Sequence, residues 1–515
     1  MPARPSRHVW LLALLLPWLA ACAPAPGVPS SGQSGAVGST TAATPAGIPR
    51  GNPTRSASEQ RLGDENHPKI LAKFGGAYED PELTAYVDRI GRRLVAVTEQ
   101  PGAKWTFTVI DSPDVNAFAV PGGYVYVTRG LLALANDEAE LAGVIGHEIA
   151  HVTGGHNALR SNRQAVASAG VLLGSLGLAV LGIDPVGLGS ALQSAAGGVL
   201  ASYSRSDELA ADALGIRYLA DAGYDPGAQA DFLASLGANA ALDARAAGKR
   251  YDPNSVSFFS THPATGARVQ AAEALAARVA AAGGAQERGR NRYLAAIDGM
   301  TWGPSPEQGM IRDRSFLHGP LDFTFTVPEG WQMQNTPRAV LGAERSGARF
   351  IFDGARDPGG SLTAYIRERW AQNLREALKG GSTVAGLERT RIGGQEAARG
   401  LMAVPIKGRE HIALFVAIRR PDGLYRFLGL APRQNSAGVA PVATTAATFR
   451  RLTAEEKRLT RGRRVDIETV RGGATETTLG QQMDVGTLPI ERFRALNALG
   501  PERPLEPGLQ VKLVR

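Results

Sequence analysis

The chain has 515 residues, 43% hydrophobic and 20% charged, with a formal net charge of +8 and a single cysteine. That length can bury a substantial core and fits two to four domains, while one cysteine excludes an internal disulfide in the monomer. The positive excess is modest and forms no basic stripe interleaved with aromatics, which argues against a nucleic-acid partner.

Arg4 and Arg7 precede an apolar run from Val9 to Leu19 that ends in Ala20-Ala21-Cys22. The run is too short for an ordinary spanning helix and reads as a secretory signal peptide over 1–21. Leu19-Ala20-Ala21-Cys22 is similar to the bacterial lipobox, so the sole cysteine reads as a lipid attachment site. Ala23 follows it rather than the aspartate of inner-membrane retention, which favours the periplasmic side of the outer membrane. Residues 22–62 are rich in Ala, Gly, Ser, Thr and Pro, with no acidic residue before Glu59. Such a segment buries too little apolar surface to fold and reads as a lipidated flexible tether.

Tyr124-Val125-Tyr126-Val127-Thr128 alternates and is β-branched or aromatic, so it reads as a strand opened by the turn Pro121-Gly122-Gly123. A strand at a cleft edge can pair with an extended peptide, although a purely structural strand explains the pattern equally well. Asn136 or Asp137 can cap a following helix whose buried stripe is Leu141, Val144, Ile145 and Ile149. His147-Glu148-Ile149-Ala150-His151 lies on that helix. Histidines four apart share one face and can ligate one Zn²⁺, and Glu148 between them can reach the water that zinc activates.

Catalytic zinc takes a third protein ligand and keeps a fourth position open. Glu208 and Asp212, four apart in Ser204-Arg205-Ser206-Asp207-Glu208-Leu209-Ala210-Ala211-Asp212, share a helix face. Glu208 is the candidate ligand, and Asp212 would hydrogen-bond the outer nitrogen of a ligand histidine. A solvated acidic face explains the spacing equally well. Residues 164–203 are nearly uncharged and Gly/Ala/Leu-rich; a soluble insertion is preferred over a membrane hairpin because Ser, Gln and Gly dilute the hydrophobicity.

These residues together carry a resemblance. Asn116-Ala117-Phe118-Ala119-Val120-Pro121-Gly122-Gly123, Gly146-His147-Glu148-Ile149-Ala150-His151-Val152 with His156, Ser204-Arg205 through Glu208 to Asp212, and Thr261-His262-Pro263 with Arg268 resemble the HtpX and CAAX-prenyl-protease type of gluzincin zinc metallopeptidase, in its periplasmic BepA-like branch. The resemblance implies one Zn²⁺ per chain held by His147, His151 and Glu208, with Glu148 as general base. It implies His262 as a self-inhibitory fourth ligand or transition-state donor, and Asp212, His156 and Arg205 as supporting residues around the ligands. It also favours Tyr124, Val125 and Tyr126 as a substrate-binding edge strand. The activity implied is endopeptidase cleavage of misfolded or stalled envelope proteins, with a closed structural zinc in a cell-wall-tethered chaperone as the alternative.

Helical, Ala-rich sequence from Asp225 to Ala282 closes a peptidase domain over 63–282, and 283–320 reads as a linker. Strand-like runs at Phe323–Val327, Ala348–Phe352 and Ile412–Ile418, with an amphipathic Leu362–Leu378 between them, predict an α+β domain over 321–451. No tetratricopeptide periodicity appears, which departs from the BepA pattern. Residues 465–515 loosely resemble a LysM module, a small βααβ fold, which implies contact with peptidoglycan, or, as a degenerate module, packing or protein contacts. The fold class expected is α+β and multidomain: a mainly helical peptidase domain with a small edge-stranded sheet, an α+β domain and the βααβ module.

Overall fold

The computed structural model describes residues 51–156, 203–251, 262, 266–500 and 505–515, apart from 53, 249, 284–285 and 407. The expected signal peptide, Cys22, most of the expected tether and residues 164–202 lie outside the described residues. The chain is α+β, and residues 42–515 form one compact unit.

Helix α1 (Ala57–Phe74) starts inside the expected tether. Ser56 and Glu59 close a capping box there, which satisfies two amide donors of the first turn and lets a helix start in polar sequence. Helix α2 (Pro81–Val95) is capped by Asp80 and buries Leu83, Val87, Ile90 and Leu94, the spacing of one helical face. Strands β1 (Thr106–Ile110), β2 (Ala117–Val120) and β3 (Tyr124–Thr128) form a sheet in the order β1-β3-β2. Thr106 pairs in parallel with Tyr124, and Val120 pairs antiparallel with the same residue.

That order corrects one expectation. Tyr124, Val125 and Tyr126 belong to the central strand, whose two backbone edges are already used by β1 and β2, so they cannot accept an extended peptide. Their continuous burial is what a central strand requires.

Helix α3 (Arg129–Leu134) follows β3 directly, and α4 (Glu138–Thr153) follows with Asp137 as its N-cap, accepting from the Glu140 amide at 2.8 Å. Helix α4 is buried on nearly every side. Helices α5 (Arg205–Asp221) and α6 (Ala228–Ala246) pack on it, and α7 (Gly266–Ala281) packs on α5 and α6. Helices α4 and α5 approach through glycine: a Cβ on Gly215 would lie 3.1 Å from the His147 backbone nitrogen and 3.0 Å from Gln229 Oε1.

Residues 283–320 are not a linker. They contain α8 (Arg290–Ile297), whose Tyr293, Leu294 and Ile297 are fully buried in the peptidase core, then β4 (Thr301–Trp302), β5 (Met310–Arg312) and β6 (Ser315–His318). Helix α8 is polar at its start, with Arg290, Asn291 and Arg292 in its first turn, and buries only one apolar side. Strands β5, β6 and β7 (Phe323–Thr326) form a three-stranded sheet.

Beside it, β8 (Gln332–Asn335), β9 (Val340–Ala343), β10 (Arg349–Ala355), β11 (Ala385–Ile392), β12 (Gln395–Ile406), β13 (Arg409–Arg420) and β14 (Gly423–Pro432) form a seven-stranded sheet in the order β11-β12-β13-β14-β10-β9-β8. Phe325, Phe350, Phe352 and Phe427 fill the core on one face, together with Val442 of α10 (Ala440–Ala447). The other face carries a helical stretch that includes the π-helical turn Tyr365–Trp370 and α9 (Ala371–Leu378).

After α11 (Ala454–Leu459) the chain ends as β15 (Arg463–Thr469), α12 (Glu476–Gly480), α13 (Pro489–Leu496) and β16 (Gln510–Val514), a βααβ unit with β15 and β16 antiparallel. Strand β15 also pairs with β4, and Val465 joins the peptidase core. Among the described residues no helix is long and apolar enough to cross a membrane.

Candidate metal centre

Helix α4 carries His147, Glu148 and His151, and α5 carries Glu208 and Asp212. His262 precedes α7, and Arg268 lies on α7. All seven side chains are buried. The donor atoms of His147, His151, Glu208 and His262 converge on one point. His147 Nε2 is 3.0 Å from His151 Nε2 and 3.3 Å from His262 Nδ1. Glu208 Oε1 is 3.0 Å from His262 Nδ1 and 3.3 Å from His151 Nε2, and Glu208 Oε2 is 3.5 Å from His147 Nε2.

These separations test the site against zinc. Tetrahedral zinc with Zn–N and Zn–O bonds near 2 Å sets its ligand atoms about 3.3 Å apart. The five measured edges fall around that value. Neutral imidazoles carry one N–H each, so three ring nitrogens this close to one another and to one carboxylate are better reconciled by a shared cation than by hydrogen bonds. Charge gives a second test. The buried carboxylates of Glu148, Glu208 and Asp212 outnumber the one buried guanidinium, Arg268, an imbalance that a divalent cation offsets.

Outer contacts fix the ligand rings. Asp212 Oδ1 lies 3.0 Å from His147 Nδ1 and accepts a hydrogen bond from Gln229 Nε2 at 2.7 Å. His151 Nδ1 is 3.0 Å from His156 Nδ1. The Tyr203 ring stacks on the other face of this arrangement, 3.6 Å from the His151 centroid and 10° from parallel. Glu148 has no hydrogen-bond partner for either carboxylate oxygen among the described residues, and His262 Nε2 stands 3.3 Å from its Oε1. A buried carboxylate left without donors is poised to take a proton from a water placed beside it.

The field of the site favours positive charge at its centre. Burial opposes protonation of His147, yet the hydrogen bonds and charges of Asp212 and Glu208 outweigh it and push the pKa up to about 9. Burial alone raises Glu208, but the His262, His147 and His151 rings hold it far below the usual carboxylate range. Burial, reinforced by its histidine neighbours, drives His151 well below the ordinary histidine range, which keeps its nitrogen lone pair available to a metal.

The structure thus brings His147, Glu148, His151, Glu208, Asp212, His156 and His262 together. Arg205 is a correction: it opens α5 and is exposed, because its helical turn faces solvent, and Arg268 supplies the cation beside the carboxylates instead. Tyr203 and Gln229 escaped the sequence reading. A lone tyrosine after an uncharged stretch and a glutamine on a different helix carry no spacing signal, since only the tertiary fold brings them to the ligands. His67, on α1, is not part of the cluster and pairs with the hydroxyl of Tyr126 on β3 at 2.8 Å.

The chain is similar to a putative beta-barrel assembly-enhancing protease of Vibrio cholerae, at 34% identity over 42% of this chain and 45% of that protein. It is 30% identical to the beta-barrel assembly-enhancing protease of Escherichia coli strain K12, over 42% of this chain and 43% of that one. It is 29% identical to the mitochondrial metalloendopeptidase OMA1 of Schizosaccharomyces pombe, over 42% of this chain and 60% of the other. The chain therefore spans about half the length of the relatives it matches. Residues 81–276, which hold the whole donor set with Glu148 and Arg268, match the model of peptidase family M48.

Proposed function

We propose that this protein is a zinc-dependent endopeptidase of the bacterial cell envelope that cleaves misfolded or stalled envelope and outer-membrane proteins. The observation that carries the activity is the convergence of His147, His151, Glu208 and His262 beside the buried Glu148 carboxylate, which accepts no hydrogen bond among the described residues. Similarity to beta-barrel assembly-enhancing proteases supports the class of substrate. In this reading one zinc ion is held by His147, His151 and Glu208. Bound zinc supplies Lewis-acid polarisation of the scissile carbonyl and lowers the pKa of water. Glu148 takes the proton of the attacking water and delivers it to the leaving amine. Asp212 and His156 hold the outer nitrogens of the two ligand histidines and so fix their tautomers.

His262 occupies the fourth donor position and makes the resting enzyme latent. Four protein donors in a closed tetrahedron are also what a structural zinc uses, and that geometry supports the second reading, an envelope chaperone with a closed site. Cys22 anchors the chain to the outer membrane through lipid, and the C-terminal βααβ unit is LysM-like and contacts peptidoglycan. Metal analysis paired with casein hydrolysis, with and without chelator, decides between the two readings. Zinc near one equivalent with chelator-sensitive cleavage is expected. Zinc without cleavage, even after His262→Ala, would leave the chaperone.

A further inference from the structure

We infer that Arg268 is a positioning residue of this metal centre, the guanidinium that ties the ligand carboxylate, the carboxylate behind the ligand histidine and the His262 segment into one unit. The inference rests on the metallopeptidase reading and extends it to a residue without a metal-ligating atom. Arg268 Nε and Nη2 donate to the two oxygens of Asp212 at 2.5 and 2.9 Å. Its Nη1 pairs with Glu208 Oε2 and donates to the His262 backbone carbonyl at 3.3 Å. The whole side chain is buried, on α7, while its partners come from α5 and from the residue that precedes α7.

Geometry and charge together make this more than a salt bridge. Only a planar fork can serve two carboxylates and a carbonyl at once; an ammonium is a point charge and satisfies fewer of them. Without Arg268, Asp212 and Glu208 would stand as neighbouring buried anions, and repulsion would turn Asp212 away from His147 Nδ1. The same loss would free the His262 carbonyl, so the fourth donor would no longer be held in register with the other three. Arg268 therefore acts on the metal through Glu208 and Asp212 on one side and through His262 on the other.

Zinc affinity by competition with a chromophoric chelator, and the visible spectrum of the Co²⁺-substituted full chain, test this. Arg268→Gln is expected to raise the zinc dissociation constant by about 10- to 100-fold and to change the Co²⁺ ligand-field spectrum, because coordination geometry is altered. Arg268→Lys keeps the charge without the fork; it is expected to recover part of the affinity but not the wild-type spectrum. If Arg268→Gln does not fold, Arg268→Lys alone decides. Wild-type affinity and an unchanged spectrum in a folded variant would overturn the assignment. A wild-type chain that binds no zinc would instead overturn the metallopeptidase reading itself.

Discussion

His262 Nδ1 stands 3.0 Å from Glu208 Oε1, although 54 residues separate them, and the contact is what closes the metal centre. Both side chains are buried, so the fourth donor position is filled from within the chain. Removing the His262 ring leaves three protein donors, which is the number a hydrolytic zinc uses. His262→Ala is therefore expected to retain zinc and to hydrolyse casein faster than wild type. A fall in kcat of roughly 100-fold or more with zinc retained would assign His262 to the developing oxyanion instead.

Glu148 separates binding from chemistry. Its carboxylate is not among the four converging donors, yet it is fully buried beside them, 3.3 Å from His262 Nε2. Glu148→Gln keeps the shape and removes the base, so zinc content should stay near wild type while hydrolysis falls by about 100-fold or more. Glu208→Ala should weaken zinc binding and lower activity together, because the three histidines that remain include no anionic ligand. Zinc content by atomic absorption and peptide turnover on the same samples check both. Full zinc occupancy in Glu208→Ala would remove Glu208 from the ligand set.

Much of the centre was legible because it is periodic. His147 with His151, and Glu208 with Asp212, are pairs four residues apart on helices, and helical spacing alone puts each pair on one face. Strands near Phe323, Ala348 and Ile412 were legible for the same reason, alternation of two. What was not legible depends on tertiary neighbours. Tyr124–Tyr126 has the same alternation whether its strand is central or at an edge, and only the register with β1 and β2 distinguishes them. Arg205 and Arg268 are alike in composition, but one starts a helix in solvent and the other is enclosed by three elements. Residues 283–320 misled because eight helical residues with three buried side chains leave too weak a pattern among glycine and arginine.

Lys512 ties the C-terminal unit to the catalytic domain. Its ammonium donates to the carbonyls of Ala133, Leu134 and Ala135 at 2.9, 3.0 and 2.7 Å, at the C-terminal end of α3 and just ahead of α4. A helix end exposes carbonyls with no partner of their own, and Lys512 serves them although burial pulls its pKa down to about 7. Asn497 holds the Lys512 backbone through both its amide and its carbonyl. Lys512→Met keeps most of the stem but leaves three buried carbonyls without this donor. A loss of about 2–5 kcal/mol is expected, read as a lowered urea midpoint. An unchanged midpoint would mean that the three Lys512 contacts contribute nothing to stability.

His318 gives the β5-β6-β7 sheet a dependence on pH. Burial beside Phe316 and Phe323 pulls its pKa down to about 4 from an ordinary 6.5, and Nδ1 accepts a hydrogen bond from the Leu321 amide at 3.3 Å. Protonation would place a charge in that apolar setting and replace the acceptor with a donor. Between pH 6.5 and about 4 the unfolded chain takes up this proton and the folded chain does not, so the folded state loses stability as pH falls through that window. His318→Asn preserves an acceptor for Leu321 and cannot titrate. Thermal midpoints of wild type and variant should therefore diverge between pH 7 and pH 4.5, with the wild type falling further. Parallel pH profiles would show that His318 is already protonated, or equally solvated, in the folded state.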